Sequence, residues 1–172
     1  LGGNDNDDPH PLDKGNAFKL PIPQEDTNNI YVARKDNTYN YWTLFSRKNG
    51  NKIRMRFIGG APVTKSEYPA LVYMKITDYC DKTCSYCYQD STTAGGPPDL
   101  KYITQLLYCL GGMQVFELAL GGGDTTSHPN IDKIIDCAIT NGMIPNITIR
   151  DPMCITDSRY SELNSCGGIA IS

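Results

Sequence analysis

Leu71-Val72-Tyr73-Met74-Lys75-Ile76-Thr77-Asp78-Tyr79-Cys80-Asp81-Lys82-Thr83-Cys84-Ser85-Tyr86-Cys87 decides the fold of this chain. Its first seven residues form a compact apolar run of strand length, and polar residues and three thiols follow at once. Outward from it, the carboxyl-terminal half alternates between strand and helix patterns. Pro97-Pro98-Asp99 opens a helix with Asp99 as its N-cap, Leu100, Ile103, Leu107 and Leu110 make its apolar stripe, and Gly111-Gly112 ends it. Val115 to Leu120 is a second strand. Asn130 to Asn141 is a second helix, with Ile131, Ile134, Ile135, Ala138 and Ile139 at helical spacing. Ile144 to Ile149 is a third strand, Asp157 to Asn164 a short helix, and Gly168 to Ser172 the start of a fourth strand. This alternation predicts an α/β fold, with a parallel sheet and helical crossovers. Ligands bind such sheets at the carboxyl ends of the strands. The cysteine loop, the Gly121-Gly122-Gly123-Asp124 turn and Arg150-Asp151 all follow strands directly, so they are expected on one rim.

The amino-terminal part differs. Residues 1–29 carry Gly2-Gly3-Asn4-Asp5-Asn6-Asp7-Asp8-Pro9 and then Pro11, Pro21 and Pro23, a composition with too little apolar surface to offset ordering entropy. A flexible polar arm is expected there, its acidic run solvated. Residues 30–68 are expected to be a β-hairpin extension. Asn49-Gly50 is a strong turn signal. Pairing outward from it sets Leu44 opposite Met55 and Trp42 opposite Phe57 on an apolar side. Arg47 with Lys52, Phe45 with Arg54, and Thr43 with Arg56 then fall on a basic, solvated side. Residues 69–172 form the third unit.

Composition narrows the function classes. The chain has 172 residues, 40% hydrophobic and 20% charged, and a net charge of −3, so charge points neither to nucleic acid nor to an anionic membrane. No apolar run approaches the roughly 20 residues that span a bilayer, and no signal-peptide pattern opens the sequence. Seven cysteines is an odd count. Four of them (Cys109, Cys137, Cys154, Cys166) stand singly, which disfavours a disulfide framework and favours a reducing, cytoplasmic setting.

Thiolates are soft ligands for zinc or iron–sulfur clusters. Structural zinc takes four protein ligands, and the second cysteine pair that usually provides them is absent. Cys109 and Cys137 fall inside helices as small buried hydrophobes, while Cys154 or Cys166 could complete a zinc site. A zinc-stabilised binding module therefore stays open at this point. Three cysteines on an iron cluster would instead leave one iron for an outside ligand.

Cys80-x-x-x-Cys84-x-x-Cys87, with aromatic Tyr86 before the third cysteine, resembles the signature of the radical S-adenosylmethionine superfamily. Gly122-Gly123-Asp124 after the second strand resembles the family's Gly-Gly-Glu turn, which contacts the methionine amino group. The run Gly121 to Pro129, with Thr125, Thr126, Ser127 and His128, is similar to the form of that turn found in peptide-modifying and cofactor-maturing members. Ile169-Ala170-Ile171-Ser172 resembles the fourth strand, whose serine lies near the cofactor. The likeness covers about residues 70–172.

The resemblance implies parallel (βα) repeats of a truncated partial barrel. It implies that Cys80, Cys84 and Cys87 hold a 4Fe–4S cluster, and that Tyr86, Gly122, Gly123, Asp124 and Ser172 bind S-adenosylmethionine. Reductive cleavage of that cofactor would start hydrogen abstraction. A reducing electron donor is the implied partner, with a peptide, an RNA or a small metabolite as substrate, the glycine–aspartate–threonine run favouring peptide or protein modification.

Each residue also has a plainer role. Tyr86 could simply pack, Asp124 (one methylene shorter than the family's glutamate) could be a turn residue, and Ser172 an ordinary strand residue. His128 before Pro129 fits the lead-in to the second helix better than acid–base work. Arg150 could meet a carboxylate or pair locally with Asp151. Leu1 in place of Met, and the halt at a fourth strand, suggest the amino-terminal part of a longer enzyme. An inactive, incomplete homologue is the further alternative.

Overall fold

The structure is a computed structural model that describes residues 30–56, 63–82 and 84–172. The expected arm at 1–29 lies outside the described residues, as does Phe57. The described residues form two sheets. An antiparallel sheet is built from β1 (Tyr31–Asp36), β2 (Tyr41–Ser46) and β3 (Lys52–Met55) in that order. A parallel sheet has β4 (Leu71–Thr77), β5 (Glu117–Gly122), β6 (Ile144–Ile149) and β7 (Gly168–Ile171) in sequence order.

The crossovers follow the sequence pattern closely. Helix α1 (Leu100–Gly112) begins where Asp99 Oδ1 accepts the Lys101 N–H at 2.9 Å. It buries Ile103, Leu107 and Leu110, and its last turn is followed by Gln114 at positive φ. Helix α2 (Ile131–Thr140) buries Ile131, Ile134, Ile135 and Ala138, whereas Ile139 is exposed. Two short 3₁₀ segments, Pro152–Ile155 and Ser158–Ser165, make the third crossover, the second of them kinked at Tyr160. Met74 and Ile76 of β4, Leu118 and Leu120 of β5, and Ile147 and Ile149 of β6 form one core with both helices and Leu163. Because side chains alternate along a strand, Tyr73, Lys75, Ala119, Asn146, Thr148 and Ala170 lie on the opposite face. That face carries no helix among the described residues and is largely half-buried.

The antiparallel sheet corrects two expectations. Its register pairs Trp42 with Met55, Leu44 with Ile53, Thr43 with Arg54 and Phe45 with Lys52. The pairing has slipped by two residues because residues 47–50 form a four-residue connection, closed by Gly50 N–H to Ser46 O and by Asn51 N–H to the Asn49 side chain. The faces are also reversed. Tyr41, Thr43 and Phe45 are buried, while Trp42 and Ile53 are exposed. The cause lies at the amino end of the parallel sheet, where Phe116 stacks on Phe45 at 4.9 Å. Lys52 and Arg54 reach over the rings of Phe45 and Tyr41 at 5.8 and 5.9 Å, keeping their charge near water while their stems cover apolar surface.

Arg34 makes the most bonds between the two sheets. Arg34 of β1 is 4% exposed, with its guanidinium 4.6 Å above the Phe116 ring. It donates to the carbonyls of Pro69, Gln114 and Tyr68 at 3.0, 2.9 and 3.0 Å. Lys52 pairs with Glu117, and Arg47 donates to Gly142 O at 3.2 Å. All these partners precede or begin strands of the parallel sheet, so the small sheet caps the amino end and leaves the carboxyl rim to the loops. Among the described residues, no helix is long and apolar enough to cross a membrane.

Candidate functional site

The cysteine loop grows from β4 through a narrow neck. Thr77 Oγ1 accepts the Tyr79 N–H at 3.0 Å, Asp78 N–H donates to Gly96 O and Thr92 N–H to Asp78 O at 3.1 Å each, and Cys80 N–H donates to Thr92 O at 3.0 Å. Gly95 is needed in this neck, because a Cβ there would stand 2.2 Å from Asp78 O. Within the loop, Cys87 N–H returns to Cys84 O at 3.1 Å. Asp90 turns the chain with φ of 53°. Backbone N–H groups of Ser91 and Gln89 then point at the Cys87 sulfur and hold its thiol below the usual range. Cys80 is half-buried, and Cys84 and Cys87 are exposed.

The far side of the loop is tied to the open face of the sheet. Lys75 Nζ donates to Gln89 O at 2.7 Å, and Gln89 Nε2 donates to the Tyr73 hydroxyl at 2.8 Å. Tyr88 lies 3.4 Å from that hydroxyl, and burial together with this neighbour pushes the Tyr73 pKa up to about 12. Tyr73 lies against Gly121, where a Cβ would approach its hydroxyl to 2.2 Å.

The glycine turn ends β5 beside the neck. Gly123 N–H donates to Thr77 O at 2.9 Å and Asp124 N–H to Tyr79 O at 2.7 Å. Gly122 has φ of 128°, a region that favours glycine, and a Cβ on Gly123 would sit 2.0 Å from Tyr79 O. Gly122 and Gly123 thus let the turn press backbone to backbone against Thr77 and Tyr79 at the start of the cysteine loop. Asp124 is buried and caps the 3₁₀ turn Thr125–Ser127, its Oδ1 accepting from Thr126 N–H at 3.2 Å and Thr126 Oγ1 at 2.6 Å. Its Oδ2 accepts from Arg150 at 2.9 Å. The same guanidinium pairs with Asp81, one residue beyond Cys80, and holds that carboxyl below the usual carboxylate range. Arg150 therefore meets two carboxylates of other loops, while Asp151 caps the Pro152–Ile155 turn by accepting from Met153 N–H at 2.9 Å.

The expected site residues divide accordingly. Cys80, Gly122, Gly123 and Asp124 come together at the ends of β4 and β5. Tyr86 projects from the loop with 86% of its surface exposed. Ser172 is exposed and donates its N–H to Ile149 O at 3.0 Å, at the end of β7. His128 is buried at the lead-in to α2, where its Nδ1 accepts the Asn130 N–H at 3.1 Å, and burial pushes its pKa down. Its Nε2 has no hydrogen-bond partner among the described residues, and the ring lines a polar cavity of about 300 Å³ with Asp132, Tyr160 and Glu162. An open cavity of about 420 Å³ lies on the rim itself, lined by Thr77, Tyr79, Gly95, Gly96, Pro97 and Ser127.

The single cysteines lie elsewhere. Cys154 is buried in the core, and burial pushes the half-buried Cys166 thiol up to about 11. Cys137 is half-buried, and Cys109, expected as a buried hydrophobe, is exposed on the outer side of α1.

Among the described residues, no three cysteine, histidine or carboxylate side chains converge as a metal-holding group. The donor chemistry of the loop nevertheless fits an iron–sulfur cluster. Three thiols share one loop outside the apolar core, and two of them are exposed.

No family model matches the chain, and no curated protein matches it. The residues that sequence reasoning missed are Asp81, Tyr73, Lys75 and Gln89. Asp81 had a signal in the arginine at the end of β6, whose reach across the end of β5 becomes visible only once the strand order is known.

Proposed function

We propose that this chain carries the cofactor end of a radical S-adenosylmethionine enzyme, with β4–β7 as strands of a partial (βα) barrel. The observation that carries this reading is the direct bonding of the cysteine loop to the glycine turn at the carboxyl ends of neighbouring parallel strands. One-sided helix packing supports the barrel, since it leaves Tyr73, Lys75, Asn146 and Thr148 on an open face where a lumen would lie. In this reading Cys80, Cys84 and Cys87 hold a 4Fe–4S cluster, which supplies, when bound, the electron that cleaves the sulfonium carbon–sulfur bond. The chain's own part is to orient. The N–H groups around Cys87 favour its thiolate, the glycine turn offers backbone close to the rim, and exposed Tyr86 offers a ring for the adenine side. An external electron donor is the required partner, and peptide or protein modification is the substrate class favoured by the Gly121 to Pro129 run.

Cys154 and Cys166 favour this reading over a zinc module, because both pack against the apolar core. Anaerobic reconstitution with iron and sulfide provides the test. About four of each per chain are expected, with a spectrum that changes when S-adenosylmethionine is added. Cys84→Ala should abolish iron uptake while leaving stability within about 0.5 kcal/mol, since the side chain is exposed. Zinc without iron or sulfide, or a spectrum indifferent to S-adenosylmethionine, would sink the proposal.

A further inference from the structure

Arg150 stands directly after β6, and its guanidinium gathers two carboxylates that sequence keeps far apart. One nitrogen pairs with Asp81, and the other lies 2.9 Å from Asp124 Oδ2. Asp124 is the better buried partner, its side chain 11% exposed against 51% for Asp81. Its other oxygen is already filled by the N–H and hydroxyl of Thr126. Both oxygens of Asp124 therefore accept from protein donors, which ties the carboxylate to the turn and to Arg150. The two arms of the fork do different things. The Asp124 arm fixes the guanidinium on a buried, capped turn, and the Asp81 arm reaches the first residue after Cys80. A planar fork suits this bridge because its nitrogens are separate donors held in fixed geometry.

Resting on the function proposed above, we propose that Arg150 is the positioning residue of the rim, using Asp124 as its anchor to hold the start of the cysteine loop, and with it Cys80, against the glycine turn. Asp124 in this arrangement places the loop.

The test is the rate at which a small maleimide modifies each thiol of the metal-free 172-residue chain, read by peptide mass mapping. Arg150→Gln should raise the Cys80 rate about fivefold, the factor expected when a partly exposed ion pair that restrains a loop is lost. Exposed Cys109 on α1 is the internal reference and should not change. Asp81→Asn should give the same rise, and the double variant no more than either single one. An unchanged Cys80 rate in folded Arg150→Gln would overturn the proposal, and so would additive effects in the double variant. If Arg150→Gln does not fold, Asp81→Asn decides, because its half-exposed carboxylate leaves the core untouched. The measurement uses no iron. A wild-type chain that takes up no cluster would therefore end the functional proposal and leave the result for Arg150 standing.

Discussion

Replacing Arg34 by methionine tests how the small sheet is held to the rest of the protein. Methionine keeps an unbranched apolar stem over Phe116 and removes every donor. Three short bonds would be lost, those to Pro69 O, Gln114 O and Tyr68 O at 3.0, 2.9 and 3.0 Å, together with the cation over the ring at 4.6 Å. Hydrogen bonds to a charged group contribute about 1.5–3 kcal/mol each in deletion experiments. Those losses do not add, because water can reach some of the freed carbonyls. The variant also recovers the cost of burying the guanidinium, a cost visible in the lowering of the Arg34 pKa by burial. The balance resembles the breaking of a buried charged network, about 3–5 kcal/mol. For a chain of this length each kcal/mol moves the melting temperature by about 2–4 °C, so a fall of about 10 °C is expected.

Two probes can follow it. The chain has a single tryptophan, Trp42, which stands on the small sheet, while far-UV circular dichroism is dominated by α1 and α2. If Arg34 joins the sheets into one cooperative unit, both signals shift together in the wild type and separate in the variant, Trp42 leading. A melting temperature within about 2 °C of wild type, with the two signals still coincident, would refute the account of Arg34 as the joint.

Gly123→Ala should destabilise the chain by about 3 kcal/mol, because its Cβ would meet the backbone oxygen of Tyr79 at 2.0 Å, whereas Gly96→Ala meets nothing within 4 Å and should cost less than about 0.5 kcal/mol in urea titrations. Leu107→Ala in the core should cost about 2–5 kcal/mol and Leu106→Ala, on the outer side of α1, far less, by the same titration. Stability should also fall as pH rises from 9 towards 11. Cys166 is pushed from 9.0 up to about 11 by burial, so the unfolded chain loses this proton first and the stabilisation present below pH 9 drains away through that window. Cys166→Ala should flatten this part of the stability profile relative to wild type, and an equally steep fall in the variant would count against the assignment.

The parallel half was legible because its two periods do not compete. Ile131, Ile134, Ile135 and Ala138 can share a face only in a helix, and all are buried on α2. Ile144–Ile149 was bounded correctly from its apolar run alone. The small sheet was harder because hydrophobicity there points the wrong way. Trp42, Leu44 and Ile53 look like the inner side, yet Phe45 is the residue that finds an aromatic partner across the gap, in Phe116. That partner lies in the parallel sheet, and no window of sequence around the hairpin contains it. Period-two alternation assigns residues to faces, but only the neighbouring sheet decides which face is inside. Asn49-Gly50 misled for a related reason. The pair does lie in the turn, with Gly50 at φ of 72°, but two further residues join the connection and shift the register.

On the rim, the glycine turn was legible because Gly122 and Gly123 act through their own backbone. Asp124 shows where such reading stops. As a residue type it was equally suited to a cofactor amine and to a turn, and spacing could not choose. In the structure it caps a turn, accepting from Thr126 two residues on and from Arg150, which reaches it across the end of β5. A glutamate at this position would carry its carboxylate one methylene further from the turn and could not keep the bonds to Thr126 N–H and Oγ1 and to Arg150 together without moving the guanidinium. The shorter side chain and the arginine therefore form one arrangement, in which an acid close to the backbone anchors a base that in turn restrains the cysteine loop. Asp124→Glu consequently tests the pair more sharply than removal of the acid. It preserves charge and hydrogen-bonding capacity, so any rise in Cys80 reactivity must come from displacement of Arg150. A Cys80 rate in Asp124→Glu equal to wild type would show that the loop does not depend on the placing of Arg150 by Asp124.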